Sequence, residues 1–269
     1  IMAETSLGRM TRKSPVGAFE SFGNSRFISI GGWINAIIPI LIVPYYSVIG
    51  GWVIKYLIEY FAGHSKTLAG DAYFTTFISN GWSTEICFII FTLFTLGIIY
   101  AGVRNGIERV SRFMMPILIV LSLIIAVYSV TRPGAIEGVK YFLVPNFDHF
   151  SWMTVVSAMG QMFYSLSIAM GILITFGSYM KKDTSIEKST ENVEIFDTAI
   201  AIMAGLMIIP AVFAFSGGNA ETLKSGPALM FITIPKVFAN MGFGTAIGIV
   251  FFLLVLFAAV TSSIALTES

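Results

Sequence analysis

The sequence predicts an all-α polytopic membrane protein, and three observations predict it. Hydrophobic residues make up 56% of the 269-residue chain and charged residues only 12%, whereas soluble domains carry roughly 25% charged residues. Mean hydropathy is +0.83. Several apolar runs reach the length of about 20 residues that a helix needs to cross a bilayer. Basic residues concentrate in every second connecting segment, as they do when connections lie on alternate sides of a membrane. A formal net charge of +1 gives no footprint for a nucleic-acid partner. The single Cys87 excludes an intrachain disulfide and any cysteine-rich metal site.

The elements follow in order. Residues 1–8 read as the tail of a span, and the start shows no secretory-signal layout. The chain opens on the apolar remnant Ile1-Met2-Ala3 and closes inside an apolar run at Ser269. The expectation is an internal fragment of a longer protein, cut in a span at both ends. Spans are expected near 28–61, 84–103, 113–131, 151–180, 193–216 and 244–269. The first is overlong and is expected to tilt and emerge from the bilayer. The segments at 9–27 (Arg9, Arg12, Lys13, Arg26), 104–112 (Arg104, Arg109, Arg112) and 181–192 (Lys181, Lys182, Lys188) hold ten of the sixteen Lys and Arg. The remaining six are Lys55, Lys66, Arg132, Lys140, Lys224 and Lys236. The positive-inside rule puts the ten-residue set in the cytoplasm. Among the outward segments, 217–241 is too short and too interrupted to span. Gly217, Gly218, Gly226-Pro227 and Pro235 predict a pair of short helices folded back over the outer face, as an interfacial loop or as a lid. His64 and His149 fall in outward segments and read as surface histidines.

The 151–180 run is the most informative. It carries no charge, yet Gln161, Tyr164, Ser165 and Ser167 cluster between Gly160 and Gly171. A span in hydrocarbon must satisfy every polar group internally, so this cluster needs a protein or ligand partner. Glycine-interrupted spans point to transporter binding sites, which makes a small-molecule transporter the leading reading of the residues themselves.

Other constellations have two readings each. In the last span, Ala258, Thr261 and Ser262 share one helical face. A carbonyl and two hydroxyls there suit a hard cation; alternatively the hydroxyls bond back to the preceding turn or join two helices. Asp197 near the inner end of the 193–216 span requires a cation or proton if buried, or sits in the first helical turn near water and the helix dipole. Glu191 and Glu194 beside it favour the second. Two mid-span tyrosines, Tyr45 and Tyr46, follow Pro44, whose missing N–H frees a carbonyl; they bond a ligand or simply pack. Glu4 either bonds exposed backbone of a broken helix or lies at the interface. No nucleophile–base pair, phosphate loop or metal motif is present, so the chain is not expected to be an enzyme.

Together these segments resemble the neurotransmitter:sodium symporter family, in particular its bacterial amino-acid transporters. The resemblance covers nearly the whole chain. It rests on Ala3-Glu4-Thr5-Ser6-Leu7-Gly8-Arg9, Pro44 through Trp52, Gly160 through Ser167, Asp197-Thr198, Ala204 through Pro210, Gly226 through Pro235 and Phe257 through Ser263. It implies an inverted-repeat transporter core of 5+5 helices, present here as a single transmembrane domain, a fragment from the end of helix 2 to helix 8. Helix 6, at 151–180, is the unwound one that pairs with the missing helix 1, and 217–241 is the extracellular lid.

The resemblance also implies roles. Ala258, Thr261 and Ser262 match one sodium site, and Ser165 and Asp197 the other. The family often has Asn at the Asp197 position, so the fixed charge implies chloride-independent transport. Tyr46 matches the tyrosine that bonds the substrate carboxylate, and Tyr164 the gate aromatic. Ile42, Ser167, Met170, Ser262 and Leu266 match the side-chain pocket, where Met170 replaces a common Phe. Methionine repacks easily, so a bulky apolar or aromatic substrate fits. Gln161 is a neighbour of the site, and Glu4 braces the unwound part of helix 6. The implied function is sodium-coupled import of amino acids, probed against a proton-coupled permease using Asp197 and a non-transporting membrane sensor on the same fold. The implied location is the plasma (inner) membrane, in contact with lipid.

Overall fold

A computed structural model of the chain describes residues 1–23, 25–102, 107–148, 150–217 and 226–269. Arg104, His149, Gly218 and Lys224, which entered the reading of the connecting segments, lie outside the described residues. The helices are α1 (Met2–Thr11), α2 (Pro15–Glu20), α3 (Arg26–Phe61), α4 (Ser65–Leu68), α5 (Tyr73–Ser79), α6 (Gly81–Tyr100), α7 (Glu108–Val130), α8 (Ala135–Leu143), α9 (Trp152–Ser165), α10 (Ile172–Tyr179), α11 (Ile186–Ser216), α12 (Ile234–Ala239) and α13 (Gly244–Glu268). Among the described residues, α3, α6, α7, α11 and α13 are long and apolar enough to cross a membrane. The sixth expected span, 151–180, is divided into α9 and α10.

Capping moves several boundaries away from the hydropathy limits. The Asn80 side chain accepts from Ser83 N at 3.3 Å, so α6 starts at Gly81. The Ser185 hydroxyl accepts from Lys188 N at 3.3 Å, so α11 starts at Ile186, within the polar stretch expected to be a loop. N-cap hydroxyls satisfy amide donors that a helix start leaves orphaned. Asp197 therefore lies about three turns into α11, and the first-turn reading of it is corrected.

The chain divides into two compact units. The first comprises Ile1–Tyr45, Asn146–Ala199 and Ser262–Ser269. Its centre is the crossing of α1 with α10. A Cβ at Gly8 would come within 1.9 Å of the Ile174 carbonyl oxygen, and one at Gly177 within 2.5 Å of the Thr5 carbonyl oxygen. Two glycines on facing helices let the backbones touch, which is how apolar helices gain contact where lipid removes the hydrophobic driving force. Arg9 and Arg12 then donate to the carbonyls of Thr184 and Ser178, at 2.5 and 2.6 Å, near the end of α10, where orphaned carbonyls welcome cations.

The second unit comprises Tyr46–Pro145 and Ile200–Thr261. Its core is aromatic. The Tyr56 and Phe252 rings stack at 5.2 Å, Phe74 and Phe231 stack at 5.4 Å, and Trp52 meets both Phe74 and Phe231 edge-on. The segment expected to fold back as a pair of short helices, 217–241, differs from expectation in its described part. Pro235 does not separate two helices; a π turn at Leu229–Thr233 runs directly into α12, with Pro235 in its first turn. Proline there has no N–H to return to the Phe231 carbonyl. That carbonyl instead accepts the buried Tyr56 hydroxyl at 2.8 Å. In the same unit, Ser65 and Thr245 hydroxyls bond at 2.8 Å, and Lys236 pairs with Asp71. His64 is exposed and bonds the Glu59 carboxylate at 2.7 Å.

Candidate functional site

The break between α9 and α10 begins as an ordinary helix end. Leu166 N bonds the Met162 carbonyl, and Ile168 N reaches back to Phe163 O at 2.9 Å while Ser167 N bonds Tyr164 O at 3.2 Å. This is a Schellman end, which requires a left-handed residue just past the helix; Ser167 supplies it with φ 55°. The chain does not resume its helix at once. Ala169 is also left-handed, with φ 61°, and Gly171 with φ 74° begins α10. Left-handed geometry costs about 1–2 kcal/mol for a residue with a Cβ, and it persists only where surroundings over-determine it. Gly171 is further constrained: a Cβ there would lie 2.9 Å from Pro15 Cγ and 3.1 Å from the Asn35 carbonyl oxygen.

One of those constraints is Glu4. Its Oε1 accepts from Ala169 N at 2.9 Å, across from α1 to the non-helical turn. Its other oxygen, Oε2, is buried and has no hydrogen-bond partner among the described residues. A carboxylate thus replaces the intrahelical acceptor that Ala169 lost. Sequence reasoning named Glu4 but not Ala169, whose contribution is a backbone N–H with no side-chain signature.

At the end of α9, the Ser165 hydroxyl donates to Asp197 Oδ1 at 2.5 Å. Charge-assisted O–H···O⁻ bonds fall in this short range. Two residues on different helices are thereby brought together, leaving Asp197 Oδ2 and the serine lone pairs as oxygen donors on one spot. Asp197 is half-buried and Ser165 exposed.

The second oxygen set lies along α13, which is unbroken from Gly244 to Glu268. Thr261 Oγ1 donates within the helix, to the carbonyls of Phe257 at 3.1 Å and Ala258 at 3.0 Å. The back-bonded arrangement is present, and it is compatible with ligation, because the hydroxyl keeps its lone pairs. Two oxygens 3.0 Å apart are spaced as adjacent ligands of a cation about 2.4 Å from each. Ser262 is exposed on the same turn, whereas Leu266 is buried.

The remaining pocket candidates are placed as follows. Ile42 and Tyr46 are half-buried on α3, and Gln161 and Tyr164 are exposed on α9. Ser167 and Met170 are half-buried in the break. Among the described residues, no three His, Cys, Asp or Glu side chains cluster as a metal site. The groups on offer are neutral hydroxyls, backbone carbonyls and the carboxylates of Asp197 and Glu4, oxygen ligands of the kind that hard cations take.

An apolar helix interrupted at a polar, left-handed turn is the arrangement found at the binding sites of helical membrane transporters. The comparisons with known proteins make the class specific. Residues 72–269 match the model of the Sodium:neurotransmitter symporter family. An uncharacterized sodium-dependent transporter of Bacillus subtilis, YhdH, is 34% identical over the whole of this chain, and one from Haemophilus influenzae is 31% identical. The crystal structure of MhsT in complex with L-phenylalanine superposes with a TM-score of 0.87 at 35% identity, over 99% of this chain and 60% of that one. The chain belongs to the sodium:neurotransmitter symporter family. It spans 59% and 61% of the lengths of the two bacterial relatives.

Proposed function

We propose that the protein of which this chain is a part is a sodium-coupled symporter that imports neutral amino acids, hydrophobic or aromatic ones in particular, by alternating access. The observation that carries the proposal is the broken helix, with Ser165 bonded to Asp197 and the turn held by Glu4. The whole chain, 1–269, is read as one transporter domain in the plasma membrane, with the segment joining α1 to α3 in the cytoplasm.

Ser165 and Asp197 take one sodium ion; Ala258, Thr261 and Ser262 take a second. Asp197 gives this set a carboxylate, and so a negative charge of its own, and chloride is not required. Tyr46 binds the substrate carboxylate. The interrupted helix offers free backbone N–H and C=O groups to the substrate's charged ends, as helix termini do. Tyr164 closes over the substrate, and Ile42, Ser167, Met170, Ser262 and Leu266 line its side chain, with Gln161 beside them. A neighbouring solved structure with phenylalanine bound supports the aromatic end of that range. Sodium entering first orders the oxygen ligands and raises substrate affinity, and by linkage the substrate raises sodium affinity equally.

Equilibrium binding of a labelled amino-acid panel (Leu, Phe, Trp, Tyr) to the full-length protein tests this, in sodium against potassium. Binding that requires sodium, and that weakens in Asp197→Ala, is expected. Sodium-independent binding that follows pH instead would move the coupling to a proton on Asp197.

A further inference from the structure

A groove of about 400 Å³ opens in the second unit between the first turns of α7, the last turns of α6 and the inner half of α13. Phe94, Phe113, Leu256, Phe257 and Val260 make its walls, and they are apolar. One charged side chain lines it, that of Arg109. The neighbouring acid is already engaged, since Glu108 pairs with Arg112 at 2.6 Å. Arg109 has no acidic partner among the described residues.

The groove has the two halves of an amphiphile. Arg109 stands in the first turn of α7, at the end that the charge pattern places in the cytoplasm. Phe113 and Met114 are one turn further along, and at 1.5 Å per residue the apolar walls run about 6–8 Å beyond the arginine along the helix. A guanidinium takes phosphate bidentately, and basic pockets between membrane helices on the cytoplasmic side recognise anionic headgroups. A soluble anion would use the arginine and leave the apolar walls unused. We propose that this groove is a binding site for an anionic phospholipid of the inner leaflet, its phosphate on Arg109 and an acyl chain between α6, α7 and α13. The lipid would touch the turn of α13 whose Phe257 carbonyl holds the Thr261 hydroxyl. It therefore contacts the back of the helix that carries the second oxygen set.

The test uses the full-length protein in phosphatidylcholine nanodiscs with a small fraction of phosphatidylglycerol carrying an acyl diazirine, and crosslinks mapped by mass spectrometry. Labels are expected in peptides covering 109–114 and 256–260. Arg109→Gln should reduce them about fivefold, the effect of roughly 1 kcal/mol per surface arginine. Arg109→Lys and Arg112→Gln should keep them, which separates loss of the site from loss of the fold. A bulky Val110→Phe should block them with the charge intact. Equal labelling in Arg109→Gln and wild type, equal labelling by diazirine phosphatidylcholine, or displacement by inorganic phosphate would each overturn the assignment. None of these readouts depends on sodium or on transport, so failure here leaves the symporter reading to its own test.

Discussion

Replacing Glu4 by alanine is expected to weaken sodium-dependent substrate binding about tenfold. Glu4 Oε1 is the acceptor for Ala169 N at 2.9 Å, and Ala169 is held left-handed at φ 61°. Hydrogen bonds to charged groups contribute about 1.5–3 kcal/mol. The turn is partly open to solvent, so the lower end applies. About 1.4 kcal/mol is tenfold in an equilibrium constant. Without the acceptor, Ala169 can relax toward an ordinary conformation, recovering about 1–2 kcal/mol of backbone strain and shifting Ser167 and Met170 with it. Glu4→Gln keeps an oxygen in the same place. A neutral bond contributes about 0.5–1.5 kcal/mol, so this variant should lose no more than about fivefold. The assay is equilibrium binding of a labelled amino acid to purified full-length protein across a sodium titration, with thermal melting alongside. Wild-type affinity in Glu4→Ala would refute the claim that the carboxylate shapes the break. A Glu4→Gln as weak as Glu4→Ala would mean that charge matters rather than the acceptor.

Three further outcomes follow from named contacts. Gly177→Val places a Cβ about where Thr5 O lies 2.5 Å away; overpacking of backbone against backbone should cost about 1–3 kcal/mol, read as a lower melting temperature in detergent. Tyr56→Phe leaves the buried Phe231 carbonyl without the hydroxyl it accepts at 2.8 Å; a loss of about 1–3 kcal/mol in stability is expected, with substrate affinity unchanged. Asp197→Asn removes the fixed charge beside Ser165; sodium affinity should fall, and chloride, without effect on the wild type, should stimulate transport, which uptake with chloride replaced by gluconate measures.

Much of this architecture is legible in the sequence, and the failures have physical causes. Length and hydropathy were sufficient for the five long helices because each must cross an apolar layer. They misplaced the start of α11 because Ser185 caps it in a polar stretch, outside what hydropathy registers. The polar cluster at 161–167 marked the break, and Gly171 is its end. Gly160, however, lies inside α9 with open space around it and takes no part. Ser167 and Ala169 hold left-handed conformations that neither residue type advertises, since the tertiary setting imposes them. Pro235 reads as a stop in any linear scan. A π turn and the Tyr56 hydroxyl accommodate it instead. Gly8 and Gly177 are visible as small residues, but a sequence does not say which helices they join.

The most direct test of the account is uptake of labelled amino acids by the full-length protein in proteoliposomes under an imposed inward sodium gradient. Accumulation is expected, collapsing when potassium replaces sodium and abolished in Ser262→Lys, where an ammonium group would stand in the second oxygen set. Uptake that persists without sodium and follows a proton gradient, or that survives Ser262→Lys, would contradict it.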